Sequence, residues 1–290
     1  MLFLYLGHYD RRMSYTPYPS AIDAAGEVRW LYAGDNGHLL RRLRNGNLMI
    51  QQENCIVEID MLGRRAGRSW EVVPRDLHHD AVEMSDGSFL ALSSAEDSFD
   101  DEVVMIDQAS GTIVGRWDFR QILDPDRPVM PANLNPKDWL HMNGIVHDSG
   151  DGSVIVSGRD QSALVKVYLA SGRIAWILGN HDKWKAQFEP YLLRPVSELF
   201  APFIGDADYL PNGNRLACFG GITRDLEGRP MELFDFENDK VNMMKVSAHI
   251  IELTGETPAR VVREVVLADD DASTYEGYRS YRAEKMSLYP

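Results

Sequence analysis

Val82-Glu83-Met84-Ser85-Asp86-Gly87-Ser88-Phe89-Leu90-Ala91-Leu92 is two short apolar runs joined by Asp-Gly. Asp-Gly or Asn-Gly between β-rich runs is the strongest local hairpin signal, because both turn residues tolerate positive φ. The unit recurs as Leu40 to Ile50 around Asn45-Gly46 and as Tyr209 to Ala217 around Asn212-Gly213. A further copy, Gly144 to Val156, has a longer turn over His147 to Gly152. A second unit follows each copy: an apolar strand, a polar turn, then a strand ending in an aromatic. It spans Ile56 to Trp70, Val103 to Trp117 and Leu164 to Trp176, and returns as Ile250 to Val262 without the aromatic. A lone copy, Ala21 to Trp30, opens the chain.

Together the units give four short antiparallel strands per repeat, the signature of a β-propeller blade. The expected fold is all-β, a single propeller domain over residues 1–290. Six blades are expected, and five also fit the count. The strand-like end, Tyr278 to Tyr289, has no partner of its own and is expected to pair with the N-terminal strands and close the ring. A β-sandwich or open sheet array is the alternative that the regular repeats disfavour. One short helix is expected within Trp184 to Phe200.

The 290 residues include 30 Lys plus Arg and 44 Asp plus Glu, a net charge of −14. That balance argues against a nucleic-acid or anionic-membrane partner, both of which need a basic surface. With 44% hydrophobic and 10% aromatic residues the chain has ordinary globular composition, not that of a disordered one. Two cysteines, Cys55 and Cys218, exclude a four-thiolate zinc site and leave one disulfide open. The apolar start, Met1 to His8, reads as a strand, because it is too short for a signal-peptide core and has no basic leader. As written the chain reads as cytoplasmic.

The chemistry is expected where the first strand of each blade opens into the channel mouth. Eight positions before the turn glycine lie His38 (from Gly46), His79 (from Gly87) and Gly205 (from Gly213), and the equivalent strand start in the longer-turned blade is His141. Three of eight histidines thus share one register. His78 is expected on the other strand face or in the preceding loop. His8, His147, His181 and His249 are expected to play no part. No carboxylate or thiolate stands in clear ligand spacing with the cluster, so no metal and no cofactor are expected. Arg159 lies where hairpin pairing returns it beside His141 and Asn143. It suits a tetrahedral oxyanion, or else an ion pair with Asp160. Asn143 can donate to a developing oxyanion. The expectation is a locally basic channel in an acidic body.

At these residues the sequence resembles the bacterial arylsulfate sulfotransferase family. The resemblance rests on Leu77-His78-His79-Asp80, Asp138-Trp139-Leu140-His141-Met142-Asn143, Ser157-Gly158-Arg159, Ala175 to Gly179 and Tyr281-Arg282-Ala283. It implies a six-bladed propeller that moves a sulfuryl group from an aryl sulfate to a phenol through a sulfated histidine. By motif His79, His141, Asn143 and Arg159 match the supporting residues, and His38, His78 and Gly205 line the substrate space. It also implies a periplasmic or secreted setting. The family's nucleophilic histidine falls at Gly205, which has no side chain, so the sulfohistidine step does not follow. Three functions are therefore weighed. The first is sulfuryl transfer or sulfoester cleavage, with His38, the acceptor or water attacking. The second is a non-catalytic propeller binding an anionic or aromatic ligand. The third is a metal-dependent hydrolase using His38, His79 and His141.

Overall fold

The structure is a computed structural model that describes residues 1–9, 18–72, 76–128, 137–161, 163–179, 191–192, 205–229, 245–256, 260–271, 273 and 277–286. For residues 5, 7–9, 178–179 and 191–192 only the backbone is described. The described residues are almost wholly β and form five sheets.

Contacts divide the chain into two compact units. Asn36–Pro195 carries three sheets. The first is β4 (Leu40–Arg42), β5 (Leu48–Gln52), β6 (Cys55–Ile59) and β7 (Arg65–Glu71), and the second is β8 (Leu77–Glu83), β9 (Phe89–Ser93), β10 (Glu102–Ile106) and β11 (Ile113–Asp118). The third is β12 (Met142–Asp148), β13 (Ser153–Gly158), β14 (Ala163–Tyr168) and β15 (Ile174–Gly179), with β16 (Tyr191–Leu192) added in parallel. Met1–Asp35 with Val196–Pro290 carries the other two sheets. One is β17 (Gly205–Tyr209), β18 (Arg215–Arg224), β19 (Lys245–Leu253) and β20 (Val261–Leu267). The other joins β1 (Leu2–Tyr9), β2 (Tyr18–Ile22) and β3 (Val28–Leu31) to β21 (Gly277–Arg279) and β22 (Ala283–Lys285).

The five sheets match the repeat pattern, and a sixth is not among the described residues. The opening copy and the chain end make one sheet between them: β22 lies antiparallel to Leu2–Leu4, and β21 to Gly7–Tyr9. Residues 191–192, inside the span expected to be helical, form a strand, and the rest of that span is outside the described residues. One helical turn, α1 (Phe119–Ile122), was not expected and is capped by Asp118, whose side chain accepts from the Arg120 N–H.

The hairpin turns differ in type from the expectation. In all three compact turns only the glycine has positive φ, 90° at Gly46, 93° at Gly87 and 82° at Gly213. Each closes with the same pair of bonds, for example Met84 N–H to Ser88 O at 2.7 Å and Gly87 N–H to Met84 O at 3.0 Å. This is a type I turn ending in a left-handed glycine bulge, which needs one glycine rather than two permissive residues.

Middle strands such as β9 are buried throughout, whereas outer strands such as β7 and β20 are largely exposed. This explains why the inner repeats read as unbroken apolar runs. The aromatic at the end of the second repeat unit has a specific job. Trp70 donates its indole N–H to Gln108 O, and Trp117 donates to Leu169 O, both at 2.9 Å. Each indole thus reaches from an outer strand to a turn of the next sheet.

Asp80 ties together all three sheets of this unit. Its fully buried carboxylate accepts from Arg41 Nε at 3.2 Å, Arg41 Nη2 at 3.0 Å and Ile145 N at 2.9 Å. In the other unit Arg282, 1% exposed, faces Asp206 at 3.4 Å. Cys55 and Cys218 are free thiols. Among the described residues no helix is long and apolar enough to cross a membrane.

Removing one partner of a buried ion pair strands the other charge. Asp80→Ala is expected to cost about 3–5 kcal/mol in urea unfolding. Glu256→Ala, which breaks an exposed pair with Arg260, is expected to cost less than about 1 kcal/mol.

Candidate functional site

The site is built in the three-sheet unit from loops 98–101 and 137–142 and the starts of β8 and β12. The two loops are zipped together: Phe99 N–H donates to Lys137 O at 2.7 Å, and Met142 N–H to Asp100 O at 3.0 Å. Trp139 anchors the second loop from below. It is 2% exposed and donates its indole N–H to Arg127 O, while Gln161 Nε2 donates to Trp139 O, both at 2.8 Å. Asp101 Oδ1 accepts from the N–H groups of Leu140 (2.9 Å) and His141 (3.2 Å).

The register between β8 and β9 breaks after Leu77, and that between β12 and β13 breaks between Met142 and Gly144. His79, inside the first break, and His141, just ahead of β12, both have φ of 52°, and Asp100 in the facing loop has φ of 60°. Left-handed backbone at a residue with a Cβ costs on the order of 1–3 kcal/mol and collects at functional sites. The break at β8 also explains where His78 goes. Instead of alternating away, its ring lies 3.6 Å from that of His79 and 4.9 Å from that of His141.

Each ring is held at Nδ1. His78 Nδ1 lies 2.9 Å from Asp100 Oδ1, His79 Nδ1 lies 3.0 Å from His38 Nδ1, and His141 Nδ1 lies 2.8 Å from Asp138 Oδ1. Asp100 Oδ2 is also 3.4 Å from His141 Nδ1. His38 is positioned by Gln51, which accepts from the His38 N–H at 3.3 Å and donates to Leu77 O at 2.8 Å. Arg159 sits across from His141, with Nη1 3.0 Å from His141 Nε2 and Nε 2.6 Å from Asp160 Oδ1. The ion pair with Asp160 is present, and Arg159 also lies beside His141 as hairpin pairing predicts. Asn143 Oδ1 and His78 Nε2 are buried without a hydrogen-bond partner. Gly205 belongs to the other unit, where it opens β17 and is exposed.

The carboxylates were not read as site residues from the sequence, and they change the electrostatics. One guanidinium, Arg159, faces Asp138 at 3.6 Å and Asp160, while Asp100 holds His78. Burial pushes the His78 imidazole below its usual pKa, against the pull of Asp100. Burial, reinforced by His78, His38, His141 and Arg159, pushes His79 well below it. The cluster is thus richer in carboxylate than in cation, not the basic channel expected. The acidic run Glu96-Asp97 to Asp100-Asp101-Glu102, directly after β9, was the signal in the sequence.

A family model described as arylsulfotransferase (ASST) matches residues 4–199. The chain belongs to the arylsulfotransferase family. The match includes His38, His78, His79, His141, Asn143 and Arg159, and ends before Gly205. The arylsulfate sulfotransferase AssT of Lelliottia amnigena is 24% identical over 241 residues, covering 62% of this chain and 39% of that protein. The enzyme of the same name from Escherichia coli O6:H1 is 25% identical over 240 residues, with the same shares. This arylsulfotransferase-family chain therefore spans about two fifths of the length of the curated relatives it matches. Among solved structures, a protein of unknown function from Bacteroides caccae aligns with a TM-score of 0.47 at 13% identity, over 91% of this chain and 93% of that one.

Burial raises the Asp101 carboxyl to about 7, against the hydrogen bonds from Leu140 and His141. A raised acid binds its proton more tightly in the folded state, so its contribution to stability is full at low pH and is lost as pH rises toward 7. The Tm of Asp101→Asn minus that of the wild type is expected to climb between about pH 4 and 7 and then level off, in thermal melts across that range.

Proposed function

We propose that this chain acts on aryl sulfate esters, transferring the sulfuryl group to a phenol or to water, with His79, His141, Asn143 and Arg159 around the sulfuryl group. One observation carries the reading: Arg159 Nη1 and His141 Nε2 meet at 3.0 Å, at the strained start of a strand, beside His78 and His79. A guanidinium fork matches tetrahedral oxyanions. The Asn143 amide, turned by 180°, offers Nδ2 to a sulfuryl oxygen.

Gly205 has no nucleophilic side chain, so the transfer is read as direct. The acceptor oxygen attacks sulfur and gives its proton to one imidazole, while the S–O bond to the aryl group breaks and the leaving phenolate takes a proton from another. His38, engaged at Nδ1 by His79, acts as a positioning residue in this reading. The test is release of phenol from an aryl sulfate, with and without a second phenol. Arg159→Ala is expected to lower turnover by about 10²–10³-fold, the usual cost of one oxyanion donor. Wild-type turnover no higher than that of the variant would overturn the proposal.

Gly205 favours a second reading, a propeller that binds sulfate esters without turning them over. Gly205 does not have the left-handed backbone that demands glycine, and an added Cβ meets only Cys218 O, at 3.0 Å. Ester binding by calorimetry with no turnover by the wild type favours the binding reading instead.

A further inference from the structure

We propose that His78, His79 and His141 form a site for a borderline transition-metal ion, such as Zn²⁺ or Co²⁺, ligated through their Nε2 atoms. One ring nitrogen from each of the three lies within 4.8 Å of the others. The carboxylate partners fix two of the tautomers. His78 Nδ1–H donates to Asp100 and His141 Nδ1–H to Asp138, since a carboxylate can only accept. At the His79–His38 contact one Nδ1 donates and the other accepts, and a proton on His79 Nδ1 gives it the same tautomer as the other two rings. The lone pairs then sit on Nε2 in all three.

Two of those lone pairs have telling surroundings. That of His78 is buried and has no partner, a cost an ion would remove. That of His141 accepts from Arg159 Nη1. A histidine held at one nitrogen by a carboxylate and bare at the other is the usual form of a metal-ligating imidazole. Asp100 and Asp138 are committed as acceptors of ring N–H groups, so they orient the ligands instead of joining them. Their charge also favours a cation in the cluster. Three imidazoles select Zn²⁺, Co²⁺ or Cu²⁺ over Mg²⁺ and Ca²⁺, and three protein ligands leave a fourth position open. The ion displaces Arg159 from His141 Nε2. The metal-loaded cluster is a state distinct from the metal-free one used in the sulfuryl reading above, since an Nε2 that ligates an ion cannot also pass a proton.

The experiment is a Co²⁺ titration of the whole chain with no sulfate ester present, followed by visible d–d absorption and reversed by Zn²⁺. One equivalent is expected to give the bands of nitrogen-ligated Co²⁺, and Mg²⁺ is expected not to compete. His78→Gln is expected to abolish the bands. Asp100→Asn is expected to weaken binding about 10–100-fold, as loss of an orienting carboxylate does. A Zn²⁺-dependent rise in Tm, present in the wild type and absent in a folded His78→Gln, is the second readout. No d–d bands in the wild type, or unchanged bands in His78→Gln, overturns the site. Because no ester is used, failure of the sulfuryl reading leaves these outcomes unaffected.

Discussion

The buried carboxylate of Asp80 is the contact on which the three-sheet unit depends. It belongs to β8, yet it binds a guanidinium from β4 and a backbone amide from β12. Sheets packed by apolar side chains alone can slide, because the hydrophobic effect has no direction. A buried carboxylate with three donors from two neighbouring sheets has one arrangement that satisfies it. Its value is therefore as much in register as in net energy, since a buried pair repays its desolvation only when every partner is in place. Asp80 also follows His79 directly, so the anchor that aligns the sheets sits one residue from the strained backbone that turns the imidazoles inward.

The site is made by loops more than by strands. Register breaks fall at the starts of β8 and β12, and His79, inside the first, and His141, just ahead of the second, share a left-handed φ of 52°. Without those breaks, alternation would send His78 and His79 to opposite faces. The cost is met by surroundings that leave the backbone no alternative: Asp101 holds two consecutive amides, and Trp139 is locked between Arg127 and Gln161. Three imidazoles, one arginine and several carboxylates then share a small volume.

Much of the fold is legible in the residues. Asp86-Gly87 and its repeats mark the hairpins, and the alternation of repeat units marks the sheets. The recurring tryptophans are legible as a pattern, while their purpose, an indole bond to the next sheet, is not. The sheet count was harder to read, because two half-patterns at opposite ends of the chain make one sheet. The histidine register is equally legible, since it needs only counting back from a glycine. Asp100 and Asp138 were not legible as partners. Asp138 stands three residues before His141 in the same loop, while Asp100 meets both His78 and His141 only because loops 98–101 and 137–142, about 40 residues apart, close on each other, which no periodicity encodes.

The sequence by itself determined the all-β class, the hairpin positions, the family and which histidines share a register. Those properties are local, set by turn chemistry and the two-residue period of a strand. Only the tertiary structure decided that His78 joins the cluster, that each imidazole is held at Nδ1, and that carboxylates outnumber the guanidinium around them. These depend on where bulges fall and which loops meet, and so on packing between segments distant in the chain.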